Sequence, residues 1–217
     1  MKRLLYLGMV AFLVLALSGC GGGGDRRSVF VAQILSDQQA DGDIAFDGAN
    51  YIPTNGPETI FFGIDDNAPN FPEYRAFLDF PLDGSTSQDV VPANAEILSA
   101  TLEVFINEVS FAGTVPTLMD LVPFSVTGLT PADFNSLPFQ FPNGADATLS
   151  FDFIASDQGN YVRIDVTSLM RETQRRGLPD FQVRFLLDFV PNPIGLVGIE
   201  DRPNITLTAP LLEVEYR

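Results

Sequence analysis

The chain predicts an all-β domain, a single jelly-roll-like β-sandwich with one or two short helices, on three observations. Apolar residues alternate with polar ones in short runs, as in Ala100, Leu102, Val104 and Ile106 set against Thr101, Glu103 and Asn107. Clusters of Pro, Gly, Asn and Asp separate these runs at the spacing of strands joined by turns, and helical periodicity is scarce. Hydrophobic residues make up 46% of the 217, enough for one packed core and too many for a disordered chain.

In chain order, Lys2 and Arg3 precede an apolar run, residues 4–17, that ends in Leu17-Ser18-Gly19-Cys20. At about 14 residues the run falls short of the roughly 20 that a membrane-crossing helix needs, so residues 1–19 are expected to be a signal peptide. The tetrapeptide is similar to the bacterial lipobox, which makes Cys20 the expected site of acylation with palmitate-type chains and the membrane anchor of the mature lipoprotein. Several acyl chains hold firmly where one does not, at about 0.8 kcal/mol per buried methylene. Residues 20–28, beginning with Cys20 and four glycines, form a tether. The residue after Cys20 is glycine and not aspartate, which favours the outer membrane in a Gram-negative cell.

Residues 29–217 are the sandwich. Strands are expected over residues 29–35, Thr59–Ile64, 120–126, 147–154, 161–166 and 195–199, with further stripes at Ala76, Leu78, Phe80 and Leu82, at Val183, Phe185, Leu187 and Phe189, and at Leu212, Val214 and Tyr216. Residues 42–74 read as long loops around one or two strands. Two helices are expected, at residues 130–134 and Thr167–Arg176. The second has Thr167 as its cap, Leu169, Met170 and Thr173 facing the sheet, and Gly177 with Pro179 as its stop.

Four strings occur in order: Arg75-Ala76-Phe77-Leu78-Asp79-Phe80, Ile97-Leu98-Ser99-Ala100-Thr101-Leu102-Glu103-Val104, Ile164-Asp165-Val166-Thr167-Ser168-Leu169, and Pro210-Leu211-Leu212-Glu213-Val214-Glu215-Tyr216. Together they resemble the DNRLRE, or disaggregatase-related, domain over about residues 40–217. The resemblance implies a jelly-roll sandwich that serves as a non-catalytic module on microbial surface and secreted proteins, some relatives of which bind polysaccharides.

Charge and composition narrow the chemistry. Removing residues 1–19 takes away Lys2 and Arg3 but no acid, so the formal charge falls from −16 to −18, and all remaining basic residues are arginines. Such a surface repels phosphate backbones, so no nucleic-acid partner is expected. The chain has no histidine, no lysine after cleavage and no Gly-x-Ser-x-Gly elbow, and its many carboxylates show no spacing that marks a catalytic pair. It is expected not to be an enzyme, and a carboxylate-based polysaccharide-degrading activity is the least favoured reading.

Surface adhesion or binding at the cell envelope is the expected function, with a calcium-supported polysaccharide-binding module as the alternative. A structural calcium is the cofactor that Asp41, Asp43, Glu200 and Asp201 suggest, since this ion takes six to eight hard oxygen ligands. Stacking on sugar needs exposed rings, for which Tyr51, Tyr74 and Tyr161 are the candidates. Phe62 and Phe71 stand in loop context but, like Tyr216, read first as core. Arg163, Arg171 and Arg184 are expected in internal ion pairs.

Overall fold

A computed structural model describes residues 28–188, 194–202 and 208–217. Cys20 and the signal peptide lie outside these residues, as does Phe189 of the third stripe. The described chain is an all-β sandwich with one α-helix. Its strands are β1 (Phe30–Leu35), β2 (Gly42–Phe46), β3 (Tyr51–Asn55), β4 (Thr59–Ile64), β5 (Glu73–Pro81), β6 (Ile97–Ser110), β7 (Thr114–Leu121), β8 (Thr148–Ile154), β9 (Asn160–Asp165), β10 (Asp180–Leu187), β11 (Gly195–Glu200) and β12 (Leu211–Tyr216). The helix, α1 (Thr167–Arg176), joins β9 to β10.

All strand pairs are antiparallel, and one curled sheet runs β1-β12-β6-β11-β4-β5-β10-β7-β8. β9 pairs with β6, and the β2–β3 hairpin attaches to β5. Curling brings the β1, β12, β6 and β9 end over the β5, β10, β7 and β8 end, and the alternating apolar faces meet between them. Ala100, Leu102, Val104 and Ile106 lie in this core opposite Leu78, Phe80, Val183 and Phe185, as the alternation predicts. Phe62, Phe80, Phe153, Phe181 and Phe185 are fully buried there, each contributing about 1.5–3 kcal/mol by leaving water.

A second, smaller core lies on the other side of β5. Ile44, Phe77, Val122, Phe124, Leu129 and Phe134 form it, with Phe46 and Tyr51 at its margin. The segment after β7 is folded over that face and ends in a short 3-10 turn at Asp133–Asn135, shorter than the expected helix at 130–134. It is held by two arginines. Arg75 and Arg184 both donate to the Phe134 carbonyl, at 2.7 and 2.9 Å, and Arg184 also donates to the Ser136 carbonyl.

Other expectations shift in register. The predicted strand at 120–126 is displaced to β7, because residues 122–124 leave the sheet to fill the second core. Residues 42–55, expected to be mostly loop, form the β2–β3 hairpin. α1 keeps its predicted span, and Leu169, Met170 and Thr173 are buried. Its start differs from expectation: Asp165, not Thr167, caps the first turn, its Oδ1 accepting from both the backbone N–H and the hydroxyl of Thr167. These bonds lower the Asp165 pKa.

The helix ends at Gly177 in the left-handed region, φ 66°, with its N–H donating to the Gln174 carbonyl and Leu178 N–H to that of Thr173. A Cβ at Gly177 would meet nothing within 4 Å. The expected cost of Gly177→Ala is therefore conformational alone, about 1 kcal/mol in a urea unfolding curve.

Candidate functional site

The acids singled out in the sequence divide between two settings. Asp41 and Asp201, 160 positions apart, meet where the turn between β1 and β2 crosses the end of β11. Asp41 is fully buried, and its Oδ1 accepts the Asp79 backbone N–H at 2.6 Å. Asp201 is 1% exposed and takes the Ser36 hydroxyl at 3.5 Å. Asp79, fully buried nearby, is a member that sequence reading missed, since its place on a strand resembles any outward polar position. Asp43 and Glu200 turn elsewhere: Asp43 accepts the Phe61 N–H, and Glu200 accepts the Thr208 hydroxyl and faces Arg202. Among the described residues, no group of three His, Cys, Asp or Glu side chains is arranged to hold a metal ion.

Electrostatics at the buried acids follow from this enclosure. Asp41 Oδ2, Asp201 Oδ2 and both Asp79 oxygens have no hydrogen-bond partner. Gln182 lies opposite Asp79 in register, but its amide exchanges hydrogen bonds with the Phe124 backbone. Burial raises the Asp41 pKa, and the neighbouring Asp201 and Asp79 charges raise it further. Burial pushes Asp79 and Asp201 each up to about 7, helped at both by the Asp37 carboxylate and at Asp79 by Asp180. Asp43 is raised to about 6, mainly by burial.

The tyrosines stand in three different settings. Tyr51 is half-buried at the second core, stacked on Phe46 at 4.6 Å, with its hydroxyl accepting from Asn135. Tyr161 is exposed on β9 and meets Phe105 of β6 edge-on at 5.1 Å. Tyr74 meets Phe61 edge-on at 6.2 Å, and both rings line an open groove of about 250 Å³. Of the loop-context phenylalanines, Phe62 is in the core and Phe71 is 61% exposed.

Strand register explains how the groove forms. Tyr74, Gly63, Leu196 and Ser110 make one row across β5, β4, β11 and β6, and Phe61, Gly198 and Glu108 make the next. Glycines thus stand between the larger side chains of both rows. At Gly198 the absence of a side chain is required: a Cβ would come within 2.6 Å of Asn107 Oδ1 and 3.0 Å of the Phe61 ring. At Gly63, φ is +115° and a Cβ would strike the Gly195 carbonyl.

The rim of the groove is polar. Asp65 and Asn67 follow β4, and Asp65 Oδ1 fixes their turn by accepting the N–H groups of Asn67 and Ala68. Glu108 accepts the Ser110 hydroxyl at 2.6 Å. Phe111, at the β6–β7 turn, completes the lining with a left-handed backbone, φ 65°, which is uncommon for a bulky residue. Partial burial and the Asp43 and Asp65 charges raise the Tyr74 pKa.

The described arginines are engaged elsewhere. Arg163 pairs with Glu103 and Glu213, Arg184 with Asp120, and Arg175 and Arg176 with Glu172. Arg75, Arg202 and Arg217 pair with Glu73, Glu58 and Glu96, while Arg171 donates to the carbonyls of Ile97 and Leu98. The expectation of internal ion pairs thus holds for Arg163 and Arg184, whereas Arg171 bonds to backbone. No family model matches the chain, and no curated protein matches its sequence.

Proposed function

We propose that this chain is a non-catalytic binding domain held at the cell envelope by an acylated Cys20, with a sandwich of the DNRLRE type. The observation that carries the reading is the contrast between its two acidic regions. The carboxyl groups with strongly raised pKa, the usual mark of acid or base catalysts, are sealed at Asp41, Asp79 and Asp201 where no substrate reaches. The open groove instead presents half-exposed rings with carboxylates, a surface suited to recognition. The four strings of the family resemblance fall on β5, β6, the β9–α1 junction and β12, all of which build the core.

A surface strip supports the envelope address. Val29, Phe30 and Val31 are each more than half exposed and follow directly on the tether, so an apolar strip lies within nine to eleven residues of Cys20. The test is fractionation of cells that express the full chain. The wild-type protein is expected in the membrane fraction and extractable only by detergent, and Cys20→Ala is expected to abolish processing before residue 20 and acyl labelling. Labelling that persists in Cys20→Ala removes the anchor from the reading.

A further inference from the structure

We infer that the groove between Phe61, Tyr74 and Phe111 binds an organic cation, a quaternary or alkyl ammonium group; this rests on the binding-domain reading and names its ligand class. The rings of these three residues line a space of about 250 Å³, several times the ~30 Å³ share of a water molecule. A positive charge above an aromatic face is drawn by the ring quadrupole, and methyl or methylene groups on the cation are buried against the ring at the same time. An inorganic ion gains only the first of these.

Charge complementarity selects the cation over other small ligands. The groove carries two carboxylates, Asp65 and Glu108, and no basic side chain among its lining residues. None of the arginines among the described residues pairs with either acid, so no internal cation already occupies the place. An anionic ligand would meet those charges and a mature chain of formal charge −18. A neutral sugar can donate hydroxyls to the two carboxylates but brings no opposite charge to them. The hydroxyl of Tyr74 adds a polar atom beside Asp65. The floor is preformed: a Cβ at Gly63 is excluded by its positive φ and the Gly195 carbonyl, and one at Gly198 by the Asn107 and Phe61 side chains.

The experiment is calorimetric titration of the mature, acylated protein in a polyoxyethylene-ether detergent with choline as the probe. Its uncharged isostere 3,3-dimethylbutan-1-ol and a neutral glucan oligosaccharide are titrated in parallel. Choline is expected to bind saturably at one site, and the isostere at least tenfold more weakly. Tyr74→Ala is expected to weaken choline by at least tenfold. The double variant Asp65→Asn with Glu108→Gln keeps the shape of the groove and is expected to do the same with an unchanged melting midpoint, so a loss there is not a loss of folding. The proposal is overturned by equal binding of choline and its isostere, by binding that survives the double variant, or by no choline binding at all. Glucan binding without choline binding overturns the cation while leaving the binding-domain reading in place.

Discussion

Asp41→Asn raises the unfolding midpoint of the domain at pH 8 and flattens its dependence on pH. In the native protein Asp41 Oδ1 accepts the Asp79 N–H, while its other oxygen lies against Asp201, so the contact between the two acids needs a proton on one of them. Asparagine keeps the first bond through its own Oδ1 and replaces the other oxygen by an N–H₂ that can donate to Asp201. The pH dependence has a definite sign. These carboxyls hold protons in the folded chain at pH values where the unfolded chain, with pKa near 3.8, has released them. Their contribution to stability is complete below about pH 4 and is lost as pH rises through the folded values near 7.

At about 1.4 kcal/mol per unit, the acids at Asp79 and Asp201 together account for several kcal/mol between pH 4 and 8, a large share of an ordinary domain's stability. Wild-type protein is therefore expected to melt higher at pH 5 than at pH 8, and Asp41→Asn to narrow that gap. Urea unfolding at the two pH values measures both. A wild-type midpoint that rises from pH 5 to pH 8 would show that these carboxyls are not protonated in the folded chain.

Arg184→Ala destabilises the domain by about 3–5 kcal/mol, the range for removing one partner of a buried ion pair. Arg184 is 3% exposed and donates from Nη2 to Asp120 Oδ2 at 2.5 Å, while Nη1 donates to the carbonyls of Phe134 and Ser136. Truncation leaves Asp120, 5% exposed, with only the Thr148 hydroxyl, and leaves the Ser136 carbonyl without its arginine donor. The Phe134 carbonyl keeps Arg75, whose guanidinium also lies 3.9 Å above the Phe134 ring. The second core is thus expected to loosen rather than detach. The double variant Arg184→Met with Asp120→Leu, which removes both charges, is expected to be less destabilised than Arg184→Ala. Chemical denaturation of the three proteins decides it; equal losses would mean that packing of the arginine stem outweighs its charge.

Legibility in the sequence follows how each element is buried. β6 and β12 have one face in the core and one turned outward, so period-two alternation reveals them. β2 is almost wholly buried although it begins Gly42-Asp43, because it lies between β3 and β5 and is covered by the segment after β7. A Cβ at Gly42 would lie 2.0 Å from the Thr54 carbonyl, so close approach of backbones, and not hydrophobicity, selects glycine there. Acid clustering in the sequence led to Asp41 and Asp201 but gave no sign that they are enclosed.

The groove was half visible. Tyr74 stood out as a tyrosine near loops, whereas Phe61 and Phe111 pass for core residues. Their signals are positional. Phe61 is out of phase with the buried Ile60 and Phe62, and two glycines, Gly63 and Gly198, interrupt strands that are otherwise apolar.

The pairing of β1 with β12 places Phe30 opposite Tyr216, with the two rings stacked at 5.7 Å, so the described chain begins and ends at one corner. Paired Cα atoms stand roughly 5 Å apart, a gap that a linker of a few residues spans. Circular permutation should then be tolerated, with new ends opened in an exposed turn such as that around Gly144, which a Cβ enters without contact. In such a permutant the membrane tether could be moved from β1 to the turn that precedes β8. Orientation at the envelope would become a property of where the chain is cut, separable from the fold itself.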